Sequence, residues 1–325
     1  MLTTVVGSYP VIKTEPKSFG SKFSKIFGIY DEFKSALENA VKDQVNAGVD
    51  IISDGQVRGD MIEIYANNLP GMTFEDDVPR IVGKIRAANN SIGASDLKLS
   101  IKTADNISED FRNNQDALLT GNDLNPNFKG VKGIITGPST LVLSSRVEGF
   151  YKRDNKTVII EDMAQALKKE AHDLEDAGAA MIQIDEPFLS TGIADLNVAK
   201  RSIKTITEDL KIPTAMHVCG DISDVIDDIL KFHVQIIDFE FAGMDSNLEA
   251  LKNGYNGSKK IGFGCIDTKT DVIESVDQVL NLVKKGINII GEENMMIDPD
   301  CGMRMLSNEV ALLKLKKMKE TVTWL

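Results

Sequence analysis

A single α/β chain folded as a (β/α)8 TIM barrel is what this sequence predicts, on three observations. Short apolar runs alternate with amphipathic stretches along most of the 325 residues, the rhythm of a parallel sheet with crossover helices. Eight such runs can be counted. Nearly every chemically useful side chain falls at the C-terminal end of its run: Ser8, Asp54, Asp185, Glu186, His217, Cys219, Glu240, Asp267 and Cys301. In barrels of this class that face carries the active site, and a doubly wound sheet would not gather the ends of all eight strands.

The eight runs are TTVVGS (3–8), VDIISDG (49–55), VKGIITG (131–137), AAMIQIDEP (179–187), PTAMHVCG (213–220), QIIDFEFAG (235–243), KKIGFGCID (259–267) and NMMIDPDCG (294–302). Helical patterns lie between most of them, at 31–47, 157–177, 221–231, 271–286 and 308–320. The stretch from about 64 to 130 breaks the rhythm. RIVGKIRA (80–87) and LKLSIKTA (97–104) both alternate and flank a turn-rich NNSIGASD, which predicts a β-hairpin followed by an Asn-rich loop. It is expected as an insertion after the second strand of one catalytic barrel spanning 1–325.

Composition narrows the function. Hydrophobic content of 42% and charged content of 26% are those of a globular protein. A net charge of −12 argues against nucleic acid or a membrane surface as partner, since both select clustered cations. Three cysteines, odd in number and far apart, suit a reducing compartment. The start MLTTVVGSYP lacks a basic segment followed by an apolar run, so a cytoplasmic location is expected.

Four strand-end residues can close one zinc site: His217 and Cys219 in TAMHVCG, Glu240 in IIDFEFAG and Cys301 in IDPDCGMR. Zinc takes nitrogen, thiolate and carboxylate donors in tetrahedral sets. Residues i and i+2 of a strand share a face, so His217 and Cys219 can reach one metal together. These ligands are spread over about 85 residues and three strands, unlike the short knuckles of structural zinc. Two thiolates and a carboxylate around Zn²⁺ leave a net charge near −1, poor for activating water but suited to carrying a nucleophilic substrate thiolate. Thiol alkylation is the chemistry expected. Cys265 in GFGCID reads as a buried small hydrophobe, and His172 and His233 as structural or surface residues. In IQIDEPFL, Gln183 and Asp185 share a face and Glu186 points away; a carboxylate there could hold an ammonium group or cap the next helix. VVGSYP offers a Gly-Ser turn for a carboxylate. Asp54, Gln56, Arg58 and Asp60 are expected in a solvated loop.

Together VVGSYP, DGQVRGDM, TGPST, IDEPFL, HVCG, the Glu240 strand, GFGCID and DPDCGMR resemble the cobalamin-independent methionine synthase family, in its C-terminal catalytic barrel. The similarity runs from residue 3 to about 305. It implies a (β/α)8 barrel whose zinc, on His217, Cys219, Glu240 and Cys301, activates the homocysteine thiol for methylation to methionine. It places Ser8 at the substrate carboxylate and Asp185 at the ammonium, with Gln56 where the family has a second ammonium-binding glutamate. Other positions depart. Ser144 stands where the family stacks a tryptophan on the pterin, Lys269 where it has a proton-donating histidine, and Ser190 and Thr191 follow the DEP motif in place of arginine and glutamate.

Those departures keep the thiol half of the reaction and remove most of the folate half. The resemblance is to the short core form of the family, for which methylcobalamin, or a methyl-corrinoid partner protein, is the expected methyl donor. Two rivals stand beside this: a thiol alkyltransferase using coenzyme M, and a non-catalytic zinc- or corrinoid-binding accessory protein. Asp185 discriminates the first, because an ammonium wants a carboxylate while a sulfonate wants cations.

Overall fold

The computed structural model describes residues 1–12, 31–113 and 128–325. In chain order its elements begin with β1 (Leu2–Thr3), α1 (Lys34–Asn46), β2 (Ile51–Ile52), α2 (Met61–Asn68), β3 (Met72–Glu75), β4 (Val78–Ile81) and α3 (Ala94–Asn113). Next come β5 (Gly130–Val131), β6 (Gly133–Thr136), α4 (Pro138–Ser144), β7 (Arg146–Val147), α5 (Lys156–Asp176), β8 (Ile182–Asp185) and α6 (Leu196–Thr207). The rest are β9 (Thr214–Val218), α7 (Ile226–Ile229), β10 (Ile236–Glu240), α8 (Asp245–Gly254), β11 (Lys260–Gly264), α9 (Val276–Ile290), β12 (Met295–Asp298) and α10 (Asn308–Val322).

One parallel sheet runs β1-β12-β11-β10-β9-β8-β6. Lys132 alone separates β5 from β6, and β5 pairs in parallel with β2 through Ile51–Gly130 and Ile52–Val131. A bridge between Thr4 and Ile51 leads from that pair back to β1. The sheet is therefore curled and TIM-barrel-like, with helices on the crossovers. Strands β8, β9, β10 and β12 are buried at every residue, as expected where a parallel sheet is covered on both faces. Side chains capping helix starts fix the crossovers: Asp60 for α2, Asp195 for α6, Ser307 for α10, and a reciprocal Ser275–Gln278 box for α9.

Strand parity sorts the buried side chains into tiers. Ile51, Met181, Ala215, Ile236 and Met296 form a small apolar cluster, with Leu2 packed against it. Two residues further along each strand, on the same face, come Gln183, His217, Asp238 and Asp298; two further again come Asp185, Cys219, Glu240 and Asp300. Hydrocarbon thus gives way to polar groups and then to the site residues as the strands run toward their C-terminal ends. The larger apolar cluster packs the opposite strand faces against the helices. Among the described residues no helix is long and apolar enough to cross a membrane.

The insertion differs from expectation. Residues 97–104 lie within α3, not in a strand. An antiparallel hairpin does form, but earlier, between β3 and β4, and β4 adds β7 in parallel. The alternation in LKLSIKTA was ambiguous: Leu97, Ser100 and Ala104 are buried, which is helical spacing, and Gly93 N–H and Ala94 N–H find acceptors in Glu170 and Ser91 at the helix start. Most of the expected Asn-rich loop lies outside the described residues.

Candidate functional site

Three of the expected ligands converge. His217 Nε2, Cys219 Sγ and Cys301 Sγ lie within 4.8 Å of one another, with Nε2 2.8 Å from Cys219 Sγ and the two sulfurs 3.5 Å apart. In a tetrahedral zinc site two thiolates sit about 3.8 Å apart, so a set of nitrogen and two sulfurs this close can accept a metal with little movement. The local fold explains the convergence. His217 and Cys219 share one face of the β9 end. Cys301 follows β12, where Asp300 Oδ1 accepts from Phe241 N and Ala242 N and Oδ2 from Gly243 N. That clamp ties the segment bearing Cys301 to the end of β10, which carries Glu240.

Electrostatics prepare the sulfurs. The Cys301 thiol is held well below its ordinary value, first by the hydrogen bond from Cys219 and then by His217. Its partner Cys219 is pushed up by the same contact and by burial. Burial alone would lower the His217 imidazole; the nearby Cys219 and Asp238 outweigh it and raise it well above normal.

Glu240 stands apart from the three. Its Oε1 accepts from Gly220 N at 3.0 Å and its Oε2 from Lys269 Nζ at 2.6 Å. Only 2% of the Glu240 side chain is exposed, against 56% for Lys269.

The expected substrate positions surround this group. Asp185 is the register partner of His217 across β8 and β9, and its Oδ1 accepts from Gln183 Nε2 at 2.7 Å. Burial, countered by His217, lifts its carboxyl to about 6. Ser8 lies against Gly302, where an added Cβ would overlap its Oγ, and Ser8 O accepts from Met303 N at 2.7 Å. Gln56 adopts a positive φ of 45°; its Oε1 would be 2.9 Å from a Cβ on Gly7, and its carbonyl accepts from Arg304. Asp185 thus lies on the His217 side of the group, and Ser8 and Gln56 beside the segment that follows Cys301.

Other expectations meet mixed outcomes. Glu186 does turn away from Asp185: it caps α4, accepting from Ser139 N, Thr140 N and Thr140 Oγ1. Cys265 is core, and burial raises its thiol. Thr207 Oγ1 bonds the His233 ring, and His172 lies 3.6 Å from Glu175. In the 54–60 loop Arg58 and Asp60 are exposed, as expected, while Arg58 pairs with both Asp31 and Asp96, and Asp60 caps α2.

Sequence reasoning missed a buried layer below the site. Asp238 Oδ2 lies 3.2 Å from His217 Nδ1, at ion-pair distance though not aligned as a hydrogen bond. Asp238 and Asp298 are both buried, and burial plus the neighbouring Asp238 charge pushes the Asp298 carboxyl well up. Lys132 is buried with them, donating to Val5 O and Gln183 Oε1. The available signal was strand parity: a charge inside VKGIITG, and an aspartate two residues before Glu240.

Comparison with known proteins follows the same lines. Residues 1–323 match the family described as cobalamin-independent synthase, catalytic domain. The chain is 49% identical over 318 residues to a methionine synthase of Methanothermobacter marburgensis, covering 98% of each. It is 46% identical over 329 residues to that of Methanocaldococcus jannaschii, again covering 98% of each. Among solved structures, a B12-independent methionine synthase from Shewanella sp. W3-18-1, in complex with selenomethionine, superposes with a TM-score of 0.78 at 23% identity, covering 99% of this chain and 96% of that one. At that identity the likeness speaks for the fold.

Proposed function

This chain belongs to the cobalamin-independent methionine synthase family and is a methyltransferase, and from that premise we propose how it makes methionine. One barrel methylates the thiol of L-homocysteine, with zinc held by His217, Cys219, Cys301 and Glu240. The convergence of one imidazole nitrogen and two sulfurs within 4.8 Å carries this reading. Zinc would supply a Lewis acid that keeps the substrate thiol ionised yet nucleophilic.

The chain's own groups do the rest. Asp185, ionised at neutral pH, receives the homocysteine ammonium. Ser8 and its turn take the carboxylate, and Gln56 accepts a second ammonium hydrogen, as the family resemblance implies. Held at both ends, the substrate would be oriented by Asp185, Ser8 and Gln56, so positioning would supply much of the rate. Glu240 would help hold the zinc only by giving up or sharing its contact with Lys269. The buried carboxylate of Asp185 favours homocysteine over coenzyme M, whose sulfonate it would repel.

For the donor we propose a methyl carrier whose leaving group departs without a proton, with methylcobalamin, free or on a corrinoid partner protein, as its representative. The family's name lends this no support, since it describes cobalamin-independent enzymes. What supports it is Lys269 at the position of the family's proton donor: a lysine ammonium, ordinarily near 10.4, is a poor acid toward a folate amine at neutral pH.

The test of the zinc centre is direct. Purified protein should hold about one zinc, and X-ray absorption should show sulfur neighbours rising from about two to about three when homocysteine is added. A zinc-loaded protein whose sulfur count does not change with homocysteine would remove the thiolate-carrier role.

A further inference from the structure

A histidine on a metal needs its second ring nitrogen held, because that partner fixes the ring and selects the ligating nitrogen. Here Nε2 faces the two sulfurs, leaving Nδ1 to be held from below. Nδ1 is buried and makes no hydrogen bond among the described residues, but Asp238 Oδ2 lies 3.2 Å away. The register makes the meeting unavoidable, since Asp238 pairs with His217 across β10 and β9.

A carboxylate in a barrel interior needs room and charge balance. Room comes from Gly262, the register partner of Asp238 on the other side: a Cβ there would stand 2.7 Å from Asp238 Cβ and 2.9 Å from Asp298 Oδ2. Lys132 is buried in the same layer: burial lowers its ammonium, while Asp238, Asp298 and Asp185 favour its charged form. A carboxylate this deep is costly unless it has a partner, so its place between a cleared glycine and the His217 ring points to a use.

We propose that Asp238, seated with Asp298 in the space left by Gly262, is the positioning residue that holds His217 with Nε2 aimed at the metal between Cys219 and Cys301. The proposal rests on the metal site described above. Asp238 acts through His217 and touches neither metal nor substrate. Asp298 and Lys132 are buried in the same layer.

The experiment is competitive metal titration of the full chain against a chromophoric chelator, with Zn²⁺ and with Co²⁺, for wild type, Asp238→Asn and Gly262→Ala. Asp238→Asn keeps the shape but weakens the acceptor; Gly262→Ala keeps every polar group but pushes the aspartates aside. Both should bind metal about 10- to 100-fold more weakly than wild type, the usual consequence of losing a histidine's holding partner. The Co²⁺ ligand-field bands should also shift in energy and intensity, which mere loosening of the fold would not cause at full metal occupancy. Thermal melts at neutral pH separate folding from binding; should Gly262→Ala fail to fold, Asp238→Asn decides alone. Wild-type affinity together with unaltered Co²⁺ bands in Asp238→Asn overturns the proposal while leaving the metal site standing. A wild type that binds neither metal overturns the site and this inference with it.

Discussion

Lys269 Nζ lies 2.6 Å from Glu240 Oε2, so an exposed cation occupies the carboxylate expected to complete the metal's coordination. The pair is lopsided: Glu240 is buried, with its other oxygen on Gly220 N, while the lysine is exposed and its Nζ shows no second hydrogen bond or ion pair among the described residues, its backbone N–H donating to Asp267 Oδ1. In the proposed zinc site Glu240 would therefore have two partners to choose between, the lysine and the metal.

Removing the lysine should tip that choice. Lys269→Met is expected to tighten zinc binding by roughly two- to fivefold, the effect of deleting a pair worth at most about 1 kcal/mol at a wet surface. Chelator competition measures it. Weaker binding in the variant would instead mean that Lys269 serves the loaded site as a counter-ion.

Cys301→Ala removes the thiol best prepared to ligate, the one already held toward the thiolate form by Cys219 and His217. Tight zinc binding and all methyl transfer should disappear together, while the melting temperature of the metal-free protein changes little. Metal content equal to wild type would sink the ligand set.

Asp185→Asn should behave differently. A charge-assisted hydrogen bond to an ammonium contributes about 1.5–3 kcal/mol, so homocysteine should bind roughly 10- to 150-fold more weakly while zinc content is unchanged. The pH dependence follows with its sign. The Asp185 carboxyl titrates near 6 instead of near 4, so it carries its charge above that pH and loses it below. Homocysteine affinity should fall as pH drops through about 6 in wild type, with metal content checked at each point, and Asp185→Asn should lose that step. Stability runs the other way. A raised carboxyl pKa means the folded state prefers the protonated form, so this group's contribution is present below about pH 4 and is lost as pH rises through about 6, and the asparagine variant should melt no lower at pH 7.

Strand ends were legible in the sequence because parallel strands buried on both faces are apolar runs with polar residues only at their tips. His217, Cys219 and Cys301 could be placed together from that alone. Two kinds of feature were not legible. Short apolar stretches carry no unique period, which is why 97–104 read as a strand until the burial of Leu97, Ser100 and Ala104 in α3 showed a helix. The second kind is contact between elements distant in the chain. That Lys269 reaches Glu240, or that Gly262 clears space for Asp238 and Asp298, depends on the register of β9 to β12, which only the folded sheet sets. Asp238 was the near miss, because it sits two residues before Glu240 and so shares its face.

The methyl donor is the remaining choice, and the leaving group decides it. A folate amine leaves well only when protonated, which calls for an acid beside the pterin and a surface to stack it. At the position of the acid this chain has Lys269, whose ammonium, ordinarily near 10.4, is a poor donor at neutral pH. At the stacking position it has Ser144, the last residue of α4, and loss of an aromatic partner costs on the order of 1 kcal/mol. Cob(I)alamin leaves without a proton, so neither group is missed. Methylcobalamin with homocysteine should therefore give methionine at a measurable rate, and methyl-folate at equal concentration little or none. Lys269→Met should leave the methylcobalamin rate within a few-fold of wild type, because no proton is asked of that residue. Equal rates with the two donors, or a methylcobalamin rate abolished by Lys269→Met, would return Lys269 to the role of acid and the protein to folate chemistry.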